Sequence, residues 1–183
     1  GRGYVQAIIR DITLRRREAD IMQLRLDLTE YATGHTLAEL LRETLDRVEA
    51  LTGSCISFFH FVEADQRTLS LQAWSTRTVA EFCQAEGAGL HYDLDKAGIW
   101  ADCVRERRAV IHNDYAAVAH RRGLPPGHAH VERELVVPIL RGECIVAIMG
   151  VGNKARDYVQ EDLEIVRYLA SIAWDITERK LAE

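Results

Sequence analysis

The sequence predicts an α+β domain: an antiparallel sheet carrying helices on one face, framed by long N- and C-terminal helices. Two pairs of apolar segments, 55–62 with 68–75 and 134–140 with 144–151, are each joined by a short polar turn, as antiparallel hairpins are. Helical periodicity stands before, between and after these pairs. The first and last helical stretches carry apolar residues at heptad-like spacing, a pattern suited to a helix seam.

In chain order, Leu14, Ile21, Leu24, Leu28 and Tyr31 form the first stripe, and Gly34 breaks it. A second helix starts near Thr36 and places Leu37, Leu40, Leu41, Leu45 and Val48 on one face, stopping at Thr52-Gly53. After the first strand pair, a helical stretch from Val79 to about Ala85 runs into the flexible Gly87-Ala88-Gly89. Asp95 to Arg107 reads as one helix with Ile99, Trp100, Cys103 and Val104 inward, and Ala109 to His112 as a short strand. Asn113 to Glu132 is a long polar connection, a length that compact domains reserve for function. The Arg141-Gly142-Glu143 turn joins the second strand pair. The closing helix, from Gln160 to about Lys180, spaces Ile165, Leu169, Ile172 and Ile176 as a second stripe.

Composition narrows the function classes. At 183 residues and 48% hydrophobic content, the chain suits one domain with extensions. A net charge of -5 disfavours nucleic acid, whose phosphates require a basic surface. The basic runs Arg15-Arg16-Arg17 and Arg105-Glu106-Arg107-Arg108 read as solvated helix faces. No apolar run approaches the roughly 18 residues of a membrane span, and no leader is evident, so no membrane insertion of this segment is expected. Cys55, Cys83, Cys103 and Cys144 form no Cys-x-x-Cys pair; they read as buried free thiols of a cytoplasmic protein.

Asp-Ile-Thr occurs twice, at 11–13 and 175–177, each time between an apolar and a charged segment, with Thr177 placed to cap a following helix. The first copy, with Tyr4 to Arg10 before it and Arg15, Arg16 and Glu18 after it, resembles the last strand and exit of a PAS domain. That resemblance implies a piece of a longer signalling chain, with 1–13 the end of the PAS domain and 14–34 a linker helix. Tyr4 to Ile12, having lost its sheet, is expected to be disordered, captured by another chain or absorbed into the next helix.

Between the two copies, the helix and strand order and a set of local motifs resemble a GAF domain over about Thr36 to Trp174. The motifs are Tyr92-x-Leu94-x-x-Ala97-Gly98-Ile99-Trp100, Arg108 to Tyr115, Arg133 to Ile139, and Gly150 to Lys154 with Tyr158 and Asp162. The resemblance implies a sensory module of bacterial regulators such as sensor histidine kinases and diguanylate cyclases. Residues 35–174 are then the GAF domain and 175–183 the start of a signalling helix to an output domain. Asn153-Lys154-x3-Tyr158-x3-Asp162 is similar to the signature of cyclic-nucleotide-binding members, with Tyr158 for Phe and Leu163 for the final Glu. A structural role serves it better: a turn at Gly152-Asn153 and a carboxylate in the first turn of the last helix.

The candidate ligand-binding residues are Trp74, Tyr92, Trp100, His112, Asn113, Tyr115 and His130. Asn113 and Tyr115 would orient a ligand by hydrogen bonds while Trp100 stacks on it. The competing reading of His112 to Tyr115 is a turn in which Asn113 or Asp114 bonds its own backbone. His120, His128 and His130, with His112 and Asp114, were weighed as a zinc or haem set; their spacing lacks helical i, i+4 geometry and no cysteine joins them, so no metal is assigned. The small molecule stays unknown, and neither a cyclic nucleotide nor a tetrapyrrole is specifically supported. No nucleophile and base pair is recognisable, so the segment is not read as an enzyme. Free-methionine sulfoxide reductase shares this fold and depends on close cysteines, a pattern that Cys83 and Cys103 do not match. Two classes remain: a small-molecule receptor, and a ligand-free dimerisation and relay module in which the terminal stripes pair two copies of the chain. Its partners are a second copy, an upstream PAS domain and a downstream output domain.

Overall fold

The computed structural model describes residues 19–82, 91–119 and 130–182. The expected PAS end, the orphan strand before Asp11, Cys83, His120 and His128 lie outside them. A helix over 19–34 (α1) is followed by α2 (Leu37–Thr52), β1 (Ile56–Val62) and β2 (Thr68–Trp74). A π-helical turn (Thr78–Phe82), β3 (His91–Asp93) and a 3-10 turn (Ile99–Ala101) lead into α3 (Asp102–Arg105). Then come β4 (Val110–His112), a 3-10 turn (Tyr115–Ala117), β5 (Glu134–Arg141), β6 (Cys144–Gly152) and α4 (Gln160–Ala182).

The six strands pair in the order β3-β2-β1-β6-β5-β4, every neighbouring pair antiparallel. Strand residues alternate between two faces. Phe59, Leu135, Val137, Ala147 and Met149 join Leu28, Leu40, Leu41, Leu45, Val166 and Leu169 in the larger core, which α1, α2 and α4 cover. Each such aliphatic side chain contributes about 1.5–3 kcal/mol when fully buried. Phe58, Val62, Leu69, Val136 and Ile148 face the other way, onto Ala97, Ala101, Cys103 and Val104 around α3.

Local chemistry fixes the ends of α2. Thr36 and Glu39 form a reciprocal capping box, and Gly53 closes the helix at φ 71°. Glu49, buried on α2, accepts hydroxyl hydrogen bonds from Ser57 at 2.8 Å, from Ser75 and from Thr78, anchoring the segment after β2 to the helix layer. Burial raises its pKa.

The terminal helices lie side by side within one chain. Tyr168 Oη donates to the Ile21 carbonyl at 3.1 Å, Arg25 meets Asp175 at 3.5 Å, and Lys180 Nζ donates to the His35 carbonyl at 2.8 Å. Those three contacts advance together along both helices, so α1 runs parallel to α4. Leu28, Leu169, Ile172 and Ile176 of the two stripes are buried in the chain's own core, whereas Met22, Leu26 and Leu181 stay exposed.

Four expectations are corrected. Thr177 is no helix cap: α4 runs through it without a break, and the residue is completely buried. Asp95 to Arg107 is not one helix, because the extended backbone at Gly98 splits it into turns, the 3-10 turn and the four-residue α3. A third strand, β3, stands where none was expected. Cys144 is exposed rather than buried, being the first residue of β6 beside the hairpin turn; Cys103 is buried and Cys55 partly so.

Candidate functional site

The site lies on the sheet face opposite the terminal helices and begins with one cross-strand row. Trp74 of β2 pairs with Phe58 of β1, Phe58 with Gly150 of β6, Gly150 with Val136 of β5, and Val136 with Val110 of β4. A glycine is required in the third place. A Cβ at Gly150 would stand 2.2 Å from the Phe58 ring, so the bare backbone is the floor on which that ring rests.

Phe58 in turn braces an aromatic box. Its ring meets Trp74 edge-on at 5.9 Å between centroids, Trp100 at 5.8 Å and His60 at 5.2 Å. His60 stacks on Trp100 at 4.8 Å and 27°. The Trp100 indole folds back over Gly98, where a Cβ would approach it to 3.1 Å. Tyr115, also buried, brings its hydroxyl to the same place.

Beside the box runs a buried chain of charged groups. His112 of β4 stands directly opposite Glu134 of β5, and its Nδ1 bonds Glu134 Oε1 at 2.9 Å. Across the ring, Nε2 lies 3.8 Å from Asp102 Oδ2, and Asp102 Oδ1 accepts from Arg105 at 2.6 Å. Arg105 also donates to the carbonyls of Leu94, Ala97 and Gly98, fixing the approach to α3. Asp102 and Glu134 are 2% and 3% exposed, which makes their cationic partners indispensable. The Glu134 hydrogen bond raises the His112 pKa above that of a free histidine, and burial raises that of Glu134.

His60 behaves in the opposite way. Complete burial pushes its pKa down from 6.5 to about 3, so the ring on Trp100 is neutral at physiological pH. Sign follows from linkage. The unfolded chain takes up this proton below pH 6.5 and the folded one does not, so stability is full above 6.5 and falls towards pH 3. His112 and Glu134, with raised pKa values, contribute most at low pH, and their contribution is lost as pH rises through those folded values. Replacing His60 by Phe is expected to flatten the stability loss between pH 6.5 and about 3 by up to ~1.4 kcal/mol per pH unit, read by denaturant titration at each pH.

Of the sequence-derived candidates, Trp74, Trp100, His112 and Tyr115 stand on this face. Tyr92 pairs through its backbone with Leu69 in β3; its side chain lies outside the description. Asn113 is corrected: its amide donates to the Tyr158 carbonyl at 3.1 Å and accepts from the Tyr158 N–H at 2.7 Å, so both ends clamp the entrance to α4. His130 is exposed, and its carbonyl accepts from Asn153. Asp114 caps its own 3-10 turn, as the turn reading required. Sequence reasoning missed Phe58, His60, Asp102 and Glu134 as site residues.

The Asn153 to Asp162 signature is occupied structurally. Asn153, at φ 57°, holds Glu132 N–H and the His130 carbonyl, while Lys154 Nζ pairs with both Asp162 oxygens at 2.7 Å. Asp162 accepts the Val159 N–H as well, and the Tyr158 hydroxyl bonds Ser54. Cys103 sits behind the box with its thiol buried; burial pushes its pKa well up, which withholds the thiolate that sulfur chemistry needs. No helix among the described residues is long and apolar enough to cross a membrane.

Comparison with known proteins adds the following. The family profile of the GAF domain matches residues 34–178. A methyl sulfide methyltransferase-associated sensor of Methanosarcina acetivorans is 31% identical over 191 aligned positions, covering all of this chain and 19% of that protein. Among solved structures, the GAF domain of a phosphoenolpyruvate-protein phosphotransferase from Coxiella burnetii superposes with a TM-score of 0.70 at 12% identity, over 88% of this chain and 95% of that one. The free methionine-R-sulfoxide reductase of Neisseria meningitidis, solved with its substrate, gives 0.60 at 14% identity over 89% of each chain.

Proposed function

Since the chain belongs to the GAF domain family, we propose that it is the sensory module of a larger signalling protein. Its aromatic box and buried charge chain receive a small molecule, and its terminal helices pass the state on. One observation carries this reading. β5 begins at Glu134, the partner of His112 on the sensing face, and ends at Arg141, which holds Asp175 of α4 at 2.6 Å. Asp175 also meets Arg25 of α1 at 3.5 Å. A single strand, about 23 Å long at ~3.3 Å per residue, therefore links the sensing carboxylate to the point where both terminal helices are tied.

A ligand engaging Trp100 or His112 changes the environment of Glu134, and β5 carries the displacement to the Arg141–Asp175 latch. The ligand shifts the helices only by its unequal affinity for the two arrangements, a coupling of typically ~1–3 kcal/mol. The chain spans 19% of the length of its curated relative, a sensor by name, which fits a module within a longer protein. We assign residues 35–174 to the GAF unit, place a PAS domain upstream, and place a kinase or cyclic-di-GMP output downstream of 175–183, all in the cytoplasm. Exposed Met22, Leu26 and Leu181 on the terminal helices offer a homodimer seam.

The three tryptophans make the test direct, because Trp74 and Trp100 report on the sensing face and Trp174 packs on Phe61 beneath the helices. In a Trp174→Phe protein, a panel of small metabolites is expected to include a compound that alters the emission saturably, with Trp100→Leu abolishing its binding. Silence across the panel, or binding indifferent to Trp100→Leu, contradicts the receptor reading.

A further inference from the structure

Away from the sensing face, a groove of about 400 Å³ opens where β5 outruns its edge partner. β4 pairs with Glu134 to Val136 only, so among the described residues no strand covers the outer edge of Val137 to Arg141. Ala109, Pro138 and Leu140 line the groove with apolar surface. Around it stand four arginines from three elements: Arg107 and Arg108 before β4, Arg141 at the end of β5, and Arg167 on α4, with Ser171 one turn further along α4.

In a chain of net charge -5 this concentration of guanidinium is incompletely neutralised. Arg108 pairs with Glu106, and Arg141 with Asp175 and Glu178, while Asp175 is shared with Arg25. Arg107 donates only to the Glu143 carbonyl, a neutral acceptor. Arg167 makes no ion pair among the described residues. Two guanidiniums thus face the groove without a carboxylate, beside a third whose carboxylate is also bound elsewhere. Guanidinium forks match oxyanions in geometry and remain charged at any physiological pH.

We infer that this groove binds a small polyvalent oxyanion, a phosphate ester or a polycarboxylate. Arg107 and Arg167 hold it, and Arg141 turns to it from Asp175. The volume matches a small molecule, and the Pro138 and Leu140 surface takes its apolar part. An occupant competes with Asp175 for Arg141, so it loosens the same latch that β5 reaches from the sensing face and gives the terminal helices a second input.

Calorimetric titration of the whole chain with pyrophosphate and with citrate, at fixed ionic strength, tests this site. Saturable binding of at least one probe is expected. Pyrophosphate alone identifies phosphate chemistry, and citrate alone identifies polycarboxylate chemistry. Arg167→Gln, at an exposed helix position that leaves folding intact, is expected to weaken binding about tenfold or more. Asp175→Asn is expected to strengthen it by releasing Arg141. The inference is overturned if neither probe saturates, if Arg167→Gln binds as the parent does, or if Asp175→Asn fails to bind more tightly. Retained receptor activity on the sensing face leaves each of these outcomes unchanged, since the two sites lie on different parts of the sheet.

Discussion

Gly150→Ala is expected to destabilise the protein by about 1–3 kcal/mol and to disorder the aromatic box, although it adds a single methyl group. The added carbon would lie 2.2, 2.4 and 2.9 Å from three atoms of the Phe58 ring, inside any contact distance. Relief requires that ring to leave, and it is the one that braces Trp74, His60 and Trp100. The backbone at Gly150 shows no left-handed φ, so the glycine is present for space and not for conformation. Denaturant unfolding measures the first effect, and near-ultraviolet circular dichroism the second. Phe58→Leu in the same background is expected to recover part of the stability, because the smaller side chain vacates the position of the new carbon. A Gly150→Ala protein with parental stability and an unchanged aromatic spectrum would show that Phe58 is not held there.

Glu134→Ala is expected to cost about 2–3 kcal/mol, whereas Glu134→Gln costs distinctly less. Alanine leaves His112 Nδ1 with no acceptor in a buried site; glutamine keeps an oxygen there and loses only the charge. The pH dependence separates the two effects. In the parent, the raised pKa values of His112 and Glu134 supply stability that is present at low pH and lost as pH rises through them. Either substitution removes the charged acceptor that lifts His112, so this falling limb disappears and the opposite slope from His60 dominates the acid range. Equal losses for Ala and Gln, with an unaltered pH profile, would show that the pair is not coupled in the folded state.

Much of the scaffold was legible. Alternation in 68–75 and the apolar run at 144–151 are strong signals, and the stripes of α1 and α4 mark helices whose apolar sides are now seen buried together. Weaker signals failed where tertiary context decides. His91–Asp93 is three residues long and follows a glycine-rich stretch, so no period could reveal it; it exists because β2 offers an edge. The long helix expected around Trp100 failed because Gly98 is kept for the close approach of the indole.

The site was half legible for a related reason. Trp74, Trp100, His112 and Tyr115 are large or polar residues near element ends, and such residues draw attention in a sequence. Glu134 and Asp102 gave only a faint signal, a lone carboxylate beside apolar neighbours, and their meaning depends on β4 lying against β5. His60 stands in the run Phe58-Phe59-His60-Phe61 and was absorbed into the strand. Asn113 misled because its amide suits a ligand and a backbone clamp equally well; only the fold brings Tyr158 to it. The second Asp-Ile-Thr, expected to mark an exit from a helix, instead lies within α4. Its aspartate ties β5 and α1 to that helix, and its isoleucine and threonine are buried.

Hydrogen exchange compared between the parent and Glu134→Gln, followed peptide by peptide, tests most directly whether β5 connects the sensing face to the terminal helices. The expected result is faster exchange around His112 and Glu134 together with altered exchange in α4 beyond Asp175 and in α1 around Arg25, with the distant response lost when Arg141 is already replaced by Gln. A change confined to β4, α3 and the start of β5, with both terminal helices exchanging as in the parent, would contradict it.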